Sequence, residues 1–358
     1  MTKKPLSEGS KVKMVKLLEH DFVCDVLNKR LKDHYADFEK IIELDLEPYK
    51  RHIGITSAVF VVQYKIKYQS KTGRKKDTEI FVSAHSDGSR LGAYEKTKFL
   101  YENGFAKGKF RVTQPLFFLK EQKAFFYISS PGRSLFYFFT KNPKANIKPA
   151  MKLAVGWIKK LHKFDTSLDN FKWPYFKIST MVPMPKRFIP DFYASSQERG
   201  QLVEELVEEM KKQAKYYNKK NKPKLIYGDC HPENVIIKSL KTNDLEMIDF
   251  TDLALGDPMM DIGTFIQQFD FMGHNFLNRK KINNYKKFFI ETYFNKGLND
   301  IDIEYINRIN LYQAWTALRT TLFLFYMKGV ENPIDDLLED VRQYLELAKE
   351  NKRIINLS

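Results

Sequence analysis

Residues 225–261, LIYGDCHPENVIIKSLKTNDLEMIDFTDLALGDPMMD, decide the fold of this chain. Two short apolar runs within them, 235–237 and 245–248, flank the polar segment 239–244. Apolar runs on either side of a short polar tip are the pattern of a β-hairpin. The rest of the sequence can therefore be interpreted around one central hairpin.

Three oxygen-bearing side chains border this hairpin. Asp229 and Asn234 precede it, and Asp249 follows it. Folding the hairpin would gather all three from distant points of the chain. Oxygen ligands suit a hard cation such as Mg²⁺, which proteins commonly hold with one or two carboxylates plus substrate phosphates. The stretch thus predicts phosphoryl transfer, in which a protein positions the nucleophile and neutralises phosphate charge.

Length and composition indicate a globular protein of about two domains or lobes. The chain has 358 residues, of which 43% are hydrophobic and 29% charged. Its two cysteines, Cys24 and Cys230, imply no disulfide framework and favour a reducing compartment. The N-terminus lacks the apolar segment of a secretory signal, and no run of residues is long enough to span a membrane. We therefore expect a soluble, cytoplasmic protein.

The formal net charge of +16 has two explanations. It favours an acidic partner, such as a phosphorylated metabolite, a nucleic acid or an anionic surface. Most of the basic residues are lysines spread along the chain, so a lysine-rich composition explains the charge equally well. No DNA- or RNA-binding motif is present, and nucleic acid is not expected as a partner.

Hydrophobic periodicity predicts three regions. Apolar residues at helical spacing predict a helix over 10–31, within an N-terminal extension of residues 1–37. Strand-like runs at 38–49, 59–68, 78–86 and 124–130, with a helix at 90–103, predict a β-rich lobe over 38–130. After Pro131-Gly132 the pattern is mainly helical, which predicts a second lobe over 131–358. The sequence lacks GxxxxGK[ST], so a P-loop is excluded, and it lacks GxGxxG, so neither a dinucleotide fingerprint nor the usual protein-kinase glycine loop is present.

Asp229 follows a predicted strand and comes directly after Gly228, where the backbone can bend. This position suits a base that accepts the proton of an incoming hydroxyl, while Asn234 and Asp249 can hold the metal. Each of the three could instead be an ordinary turn residue. The joint occurrence of G-D-x-H-x-x-N, a hairpin and I-D-F favours the site. His231 has no second Cys or His at zinc-ligand spacing, so we interpret it as a structural histidine of the loop.

These motifs resemble those of the aminoglycoside phosphotransferase and choline kinase superfamily. The catalytic loop of that superfamily, H-G-D-x-H-x-x-N, matches YGDCHPEN at 227–234. Its metal segment matches Ile248-Asp249-Phe250 and the tail GDPMMDI at 256–262. The resemblance implies an α+β, two-lobed protein-kinase-like fold, with a small antiparallel β-sheet N-lobe and a larger, mainly helical C-lobe. It also implies ATP and Mg²⁺ as cofactors.

The resemblance also assigns site residues. It makes Asp229 the catalytic base and Asn234 and Asp249 the Mg²⁺ ligands. Four residues would support the catalytic loop: Tyr227, His231, Asp257 and Asp261. Seven would contact the nucleotide: Gly54, Thr56, Ser57, His85, Glu95, Ser129 and Ser130. Of these, the glycine and hydroxyls at 54–57 could present donors to phosphates, although a plain turn explains them as well.

Two positions depart from the family pattern. Tyr227 replaces the first histidine of the catalytic loop, which is a scaffold position. The strand at 78–86 should carry a lysine or arginine for the α- and β-phosphates, but that position falls on Ala84 or His85. A histidine there would carry a charge that depends on pH near neutrality. Lys65 or Lys67 on the neighbouring strand is a possible substitute.

The expected function is transfer of the γ-phosphoryl group of ATP to a hydroxyl of a small molecule, such as a metabolite, sugar, amino alcohol or antibiotic. The alternative is a catalytically weak nucleotide-binding module that regulates a partner, which the missing strand cation favours. Acceptor contacts are expected from the helical lobe, between 171 and 210 and beyond 269. Its acidic and aromatic candidates include Glu204, Glu205, Asp270 and Trp315.

Overall fold

The structure is a computed structural model that describes residues 7–167, 171–180, 184–327 and 333–357. The first six residues of the predicted N-terminal extension lie outside the described residues, as do residues 181–183, 328–332 and 358 of the predicted acceptor region. The chain divides into two compact units. The first comprises Met1–Gly132 and Glu246–Thr251, and the second comprises Arg133–Leu245 and Asp252–Ser358.

The first unit is built on an antiparallel five-stranded sheet. Its elements in chain order are α1 (Glu8–Val15), α2 (His20–Arg30), β1 (Phe38–Ile53), β2 (Ala58–Ser70), β3 (Lys75–His85), α3 (Arg90–Leu100), β4 (Phe110–Val112), β5 (Pro115–Leu119) and β6 (Ala124–Ile128). The strand order in the sheet is β1-β2-β3-β6-β5. β4 and β5 were not predicted, because at three and five residues they are too short to show a clear alternation.

Alternation along β2 explains why this unit folds around its sheet. The alternate side chains from Phe60 to Tyr68 are all buried, while Lys65 and Lys67 between them point to the other face. Val23 and Leu27 of α2 are buried in the same hydrophobic cluster as these β2 residues. Burying one face of the sheet against α2 fixes its register, because a slip of one residue would expose the whole apolar set.

The N-terminal helix predicted over 10–31 is interrupted. α1 ends at Val15, a short 3₁₀ turn covers Lys16–Leu18, and α2 begins at His20. Glu19 between them has extended backbone angles, φ −92° and ψ 117°, which break the helical hydrogen-bond ladder. The break lets Leu17 and the apolar face of α2 be buried in the same core.

The second unit is mainly helical. Its elements are β7 (Arg133–Ser134), α4 (Leu135–Lys141), α5 (Lys148–His162), α6 (Pro185–Ser195), α7 (Gln197–Lys220), β8 (Lys224–Ile226), β9 (Val235–Ser239), β10 (Asp244–Met247), β11 (Ala254–Gly256), α8 (Met259–Gly273), α9 (Arg279–Phe294), α10 (Ile303–Tyr326) and α11 (Ile334–Leu347). β9 and β10 are neighbouring strands, as predicted for the central hairpin. The last two residues of β10, Glu246 and Met247, are grouped with the first unit.

Helices α8 and α10 form the centre of the second unit. Gly263 of α8 lies so close to α10 that a Cβ atom there would be 2.6 Å from the Ile309 carbonyl oxygen. Thr264 and Thr316 share a hydrogen bond of 3.0 Å across the same contact. Such close approach of two backbones requires a residue without a side chain. The fold is thus α+β, as predicted. Across the described residues, every helix is too short or too polar to cross a membrane.

Candidate active site

The catalytic-loop motif lies on a sharp turn at the end of β8. Gly228 has φ +84°, a conformation that favours glycine. A Cβ atom at Gly228 would lie 2.5 Å from the Asp252 carbonyl oxygen, so a larger residue has no room. β8 pairs with β11 in an antiparallel ladder, in which Ile226 lies opposite Ala254. The turn leaves Asp229 with a side chain that is 33% exposed.

Asp261 holds the backbone of this turn. Its carboxylate accepts hydrogen bonds from the backbone N–H groups of Tyr227 and Gly228, both at 2.8 Å. His162 of α5 lies 2.8 Å away through Nε2, and its Nδ1 lies 2.8 Å from the Tyr293 hydroxyl. Asp261 itself is fully buried. A buried carboxylate with three donors is satisfied, so this arrangement restrains the turn that carries Asp229.

Asp229 lies between a histidine and an arginine. Its Oδ2 is 3.5 Å from Nε2 of His231, and its Oδ1 is 3.5 Å from Nη1 of Arg319. Arg319 comes from α10 and also contacts Asp252 at 3.2 Å. Arg319 belongs to no motif that would identify it from the sequence. Its only sequence signal is a single arginine within the apolar stretch 314–325, which does not reveal a partner 90 residues earlier in the chain.

Asn234 closes the loop from a short 3₁₀ turn, Pro232–Asn234. Its Nδ2 donates to the Asp229 carbonyl oxygen at 3.2 Å and lies 2.8 Å from Nε2 of His231. Because the amide nitrogen makes these contacts, the carbonyl oxygen is the atom of this side chain that a cation could take. His231 therefore contacts both Asp229 and Asn234, which is how a loop scaffold would act.

Asp257 makes its contacts away from the loop. Its two carboxylate oxygens accept a bidentate pair of hydrogen bonds from Arg308 of α10, one of them from Nε at 2.8 Å. It also accepts from the backbone N–H of Met259, at the start of α8, at 2.9 Å. Asp257 thus ties the first turn of α8 to α10.

In the first unit, Asp249 has φ 58°, an uncommon left-handed conformation for a residue other than glycine. Its Oδ1 accepts hydrogen bonds from the Thr251 hydroxyl at 2.6 Å and from Nη1 of Arg90 at 2.8 Å. Arg90 is the first residue of α3, and its side chain is 11% exposed. No function is predicted for Arg90 from the sequence, because its partner Asp249 is 159 residues away.

The position expected to carry the strand cation lies at the end of β3. Ala84 is buried and pairs with Phe60 and Ala124. Its methyl side chain carries no charge, so it cannot bind a phosphate as a cation would. His85 follows it, and Nε2 of His85 lies 2.9 Å from Nη2 of Arg90. Burial, followed by the charge of Arg90, lowers the pKa of His85 to about 4. The expectation of a charge that changes near neutral pH is therefore wrong, because this imidazole is uncharged at pH 7.

Lys65 and Lys67 do not substitute for that cation. His85 pairs with Val59 of β2, and Lys65 lies six residues further along that strand. At a rise of about 3.3 Å per residue this is roughly 20 Å. Lys65 pairs with Glu47 at 2.8 Å and Lys67 with Glu43 at 2.6 Å, both on the exposed face of the sheet.

The remaining candidate nucleotide contacts lie in three places of the first unit: the turn between β1 and β2, residues 129–130 after β6, and Glu95 in α3. Gly54, Thr56 and Ser57 form the turn between β1 and β2, where the Gly54 N–H donates to the Ser57 carbonyl at 2.7 Å. The Ser129 N–H donates to the Glu79 carbonyl at 2.8 Å, and the Ser130 hydroxyl donates to the buried Glu246.

Glu95, in the middle of α3, is exposed. Across the described ranges it forms no ion pair, so the lysine–glutamate pair of the family pattern has no counterpart at Glu95. Arg90, at the start of this helix, pairs with the candidate metal ligand Asp249.

The donor chemistry of Asn234 and Asp249 fits Mg²⁺. One amide oxygen and one carboxylate are hard oxygen ligands, and Mg²⁺ takes few protein ligands where phosphates and water supply the rest. Among the described residues, no cluster of three His, Cys, Asp or Glu side chains could hold a metal by itself.

Comparison with known proteins finds one matching family. Residues 124–285 match the phosphotransferase enzyme family, APH, and this segment contains the whole catalytic-loop and metal motif. No curated protein matches the chain. The predicted class, a phosphotransferase enzyme, is the class that the matched family describes.

Solved structures share the fold at low sequence identity. Amicoumacin kinase hAmiN in complex with AMP-PNP, Ca²⁺ and Ami is 13% identical, with 97% of this chain and 98% of that chain covered and a TM-score of 0.54. The streptomycin–ATP–APH(2")-IIa ternary complex is 15% identical, with 92% and 96% covered and a TM-score of 0.52. Aminoglycoside-3'-phosphotransferase of type VIII is 16% identical, with 89% and 98% covered and a TM-score of 0.52. By sequence over residues 124–285, and by fold over most of its length, this chain thus resembles the aminoglycoside phosphotransferase superfamily, as its motifs predicted.

Proposed function

We propose that this protein transfers the γ-phosphoryl group of ATP to a hydroxyl group of a small molecule. The family match supports phosphoryl transfer. Solved structures of the same fold contain ATP or AMP-PNP, which supports ATP as the donor. One of those complexes also contains streptomycin, a small molecule that carries hydroxyl groups.

The observation that carries the proposal is the setting of Asp229. Its backbone turn is restrained through Asp261, while its own carboxylate stays 33% exposed and can meet a ligand. A carboxylate held in this way can accept the proton of an incoming hydroxyl without first being reoriented. Arg319, with Nη1 3.5 Å from Oδ1, places a positive charge beside this carboxylate.

Asn234 and Asp249 are the residues that we propose to hold Mg²⁺. When bound, Mg²⁺ would neutralise phosphate charge. The protein's own part is to present the Asn234 oxygen, which the contacts of its Nδ2 with the Asp229 carbonyl and His231 orient. It also presents Asp249 in a left-handed conformation, φ 58°, that Thr251 and Arg90 restrain.

The acceptor is proposed to bind in the second unit, although the acidic and aromatic residues considered there have other partners. Trp315 is 1% exposed and belongs to the core. Asp270 accepts from Arg279 at 2.6 Å and from the buried Lys286 at 3.0 Å. Glu204 accepts from the Tyr193 hydroxyl at 2.7 Å, and Glu205 from Gln201 at 2.9 Å. These contacts supply no cluster of unpaired acids for a strongly cationic acceptor.

A cytoplasmic location belongs to the same proposal. Cys24 and Cys230 are both free thiols. Burial raises the pKa of the Cys230 thiol well above its usual value, so this cysteine next to Asp229 is not a thiolate nucleophile. Free thiols of this kind suit a reducing compartment.

The test is Mg²⁺-dependent ATP turnover with a panel of hydroxyl acceptors: a sugar, an amino alcohol, a nucleoside and an aminoglycoside. The Asp229→Asn variant should lose at least about 100-fold in turnover, the scale of general-base catalysis. Asp21→Asn makes the same chemical change at a fully exposed position of α2 and should behave as wild type. ATP binding without turnover on any acceptor would instead favour the regulatory nucleotide-binding module.

A further inference from the structure

Arg90 is the cation whose role neither the sequence nor the family pattern assigns. Its Nη1 donates to Asp249 Oδ1 at 2.8 Å and to the Thr251 hydroxyl at 2.7 Å. Its Nη2 lies 2.9 Å from Nε2 of His85, which must accept because the guanidinium can only donate. The side chain is 11% exposed. Three partners thus hold one guanidinium group against the carboxylate that is the candidate metal ligand.

His85 aims this guanidinium. Because Nε2 accepts from Arg90, the imidazole proton is on Nδ1, which lies 3.4 Å from the Ser89 hydroxyl. An uncharged imidazole accepts a hydrogen bond from a cation without repelling it. The end of β3 therefore contributes an acceptor that orients a cation, and the cation itself comes from the first residue of α3.

We propose that Arg90 replaces the missing strand cation and exchanges partners, holding Asp249 when the site lacks a metal–nucleotide complex and holding nucleotide phosphate when that complex is bound. This inference rests on the proposed function. An arginine offers a planar fork of donors that matches both carboxylate and phosphate oxygens. The guanidinium group of Arg90 can therefore pair either with the Asp249 carboxylate or with a nucleotide phosphate.

Charge balance explains why the partner must change. Asp249 carries one negative charge, and Arg90 already neutralises it. A divalent cation arriving alone would meet this guanidinium at the carboxylate and compete with it. Nucleotide phosphates arriving with the metal bring several negative charges, which can hold the metal and Arg90 together. Arg90 should therefore weaken binding of the metal alone and strengthen binding of the nucleotide.

Opposite effects of one substitution test this idea. In Arg90→Gln, Mn²⁺ without nucleotide should bind several-fold more tightly than in wild type, because its competitor is gone. ATP with Mg²⁺ should bind about 10- to 100-fold more weakly, the scale of one lost charge-assisted hydrogen bond. Adenosine, which lacks phosphates, should bind equally to both. Arg90→Lys, which keeps the charge but not the fork, should lie between wild type and Arg90→Gln for ATP.

The measurements are Mn²⁺ titration followed by electron paramagnetic resonance, and calorimetric titration with ATP and with adenosine. Lys98→Gln is the matched control. It removes one positive charge from the same helix, where Lys98 pairs with Glu102 at 2.6 Å and is 48% exposed. It should leave all three affinities unchanged. Thermal unfolding of each variant checks that it is folded, and Arg90→Lys carries the comparison if Arg90→Gln is not.

Two results would overturn the inference: unchanged ATP affinity in a folded Arg90→Gln variant, or weaker Mn²⁺ binding in that variant than in wild type. Either would make Arg90 only a structural partner of Asp249, while ATP binding by the wild type would leave the proposed function standing. A wild type that binds no ATP would instead overturn the proposed function and, with it, the phosphate role of Arg90.

Discussion

Arg308 and Asp257 form an ion pair that is almost fully withdrawn from water. Their side chains are 2% and 1% exposed, and the guanidinium makes two hydrogen bonds to the carboxylate. Replacing Arg308 by Met would leave a buried carboxylate without its cation, which typically costs about 3–5 kcal/mol of stability. We expect that loss in the free energy of unfolding of Arg308→Met, measured by urea denaturation.

The control for this prediction is Arg342→Met. Arg342 also pairs with two carboxylates, Glu339 and Glu346, but its side chain is 47% exposed. Exposed ion pairs contribute little, so this variant should unfold close to the wild-type urea concentration. If both variants lost the same free energy of unfolding, burial of the Arg308–Asp257 pair would not explain the loss.

His85 predicts a pH dependence of stability. Burial, followed by the charge of Arg90, lowers its pKa from 6.5 to about 4 in the folded protein. Between these values the unfolded chain binds a proton that the folded chain does not, so stability falls as the pH decreases from 6.5 towards 4. His85→Gln retains an acceptor for Arg90 but does not titrate. Unfolding in urea at pH 7 and pH 5 should show a smaller loss for this variant than for wild type.

Asp261 predicts a loss of turnover without a loss of nucleotide binding. An asparagine there has one acceptor oxygen for the Tyr227 and Gly228 N–H groups and for His162, which now share a carboxylate. The turn that positions Asp229 would relax, and small misplacements of a reacting group can cost about 100-fold in rate. We expect Asp261→Asn to lower kcat on that scale. Amide hydrogen exchange at residues 227–229 should rise together with it.

An unchanged exchange rate at 227–229, with kcat still lost, would argue against this positioning role. The Asp21→Asn variant is the matched control here too, because it changes a carboxylate to an amide at an exposed site. ATP affinity should be the same in all three proteins, since Asp261 contacts the loop backbone and His162.

At the scale of elements, the packing of α8 on α10 predicts opposite effects of two glycine-to-alanine changes. At Gly263 a Cβ atom would lie 2.6 Å from the Ile309 carbonyl oxygen and 2.8 Å from Tyr312 Cβ, so the helices must separate. Overpacking of this kind typically costs about 1–3 kcal/mol. Gly92 in α3 has no atom within 4 Å of the same point, so alanine there should gain up to about 1 kcal/mol of helix propensity.

Thermal and urea unfolding of the two variants check this pair. Gly263→Ala should unfold at lower temperature than wild type, and Gly92→Ala at the same or a higher temperature. If Gly263→Ala were as stable as Gly92→Ala, the close contact between α8 and α10 would be wrong.

Elements whose signals are local could be predicted from the sequence. The central hairpin, the helices α5 and α8 and the strands β2 and β3 all follow from apolar periodicity within short windows. Short β4 and β5 and the break at Glu19 were missed, because their conformations depend on what they pair with or pack against. The α+β class was implied by the family resemblance of the motifs, and the order of predicted strands and helices agrees with it.

The site was predictable in part for the same reason. Asp229, Asn234 and Asp249 occur in a compact motif, so their residue types and spacing are visible in one stretch. Arg90 and Arg319 contact Asp249 and Asp229 across 159 and 90 residues of sequence. No periodicity connects such positions, and a lone arginine on a helix is ordinarily a surface residue. The contacts of these two arginines therefore became visible only in the fold.

The two compact units differ in their architecture, and each is assembled from two separate stretches of the chain. The first unit, the five-stranded sheet with its helices, includes Glu246–Thr251, which begins with the last two residues of the central hairpin. Asp249 therefore belongs by contacts to the unit of Arg90 and His85, whereas Asp229 and Asn234 belong to the helical unit. Changes at Arg90 and at Arg308 consequently act on different units, and their effects on stability should be nearly additive.

For the whole molecule, the net charge of +16 predicts that salt stabilises the fold. Excess like charge destabilises a compact state, and raising the ionic strength from about 0.01 to 0.15 M shortens the screening length from about 30 to 8 Å. Exposed pairs such as Lys65–Glu47 weaken under the same conditions, but isolated surface pairs contribute little. We therefore expect the Tm to rise with NaCl, and a falling Tm would mean that ion pairs outweigh the repulsion. Tripolyphosphate at matched ionic strength distinguishes the two explanations of the charge, because only a specific anion site would raise the Tm beyond the NaCl value.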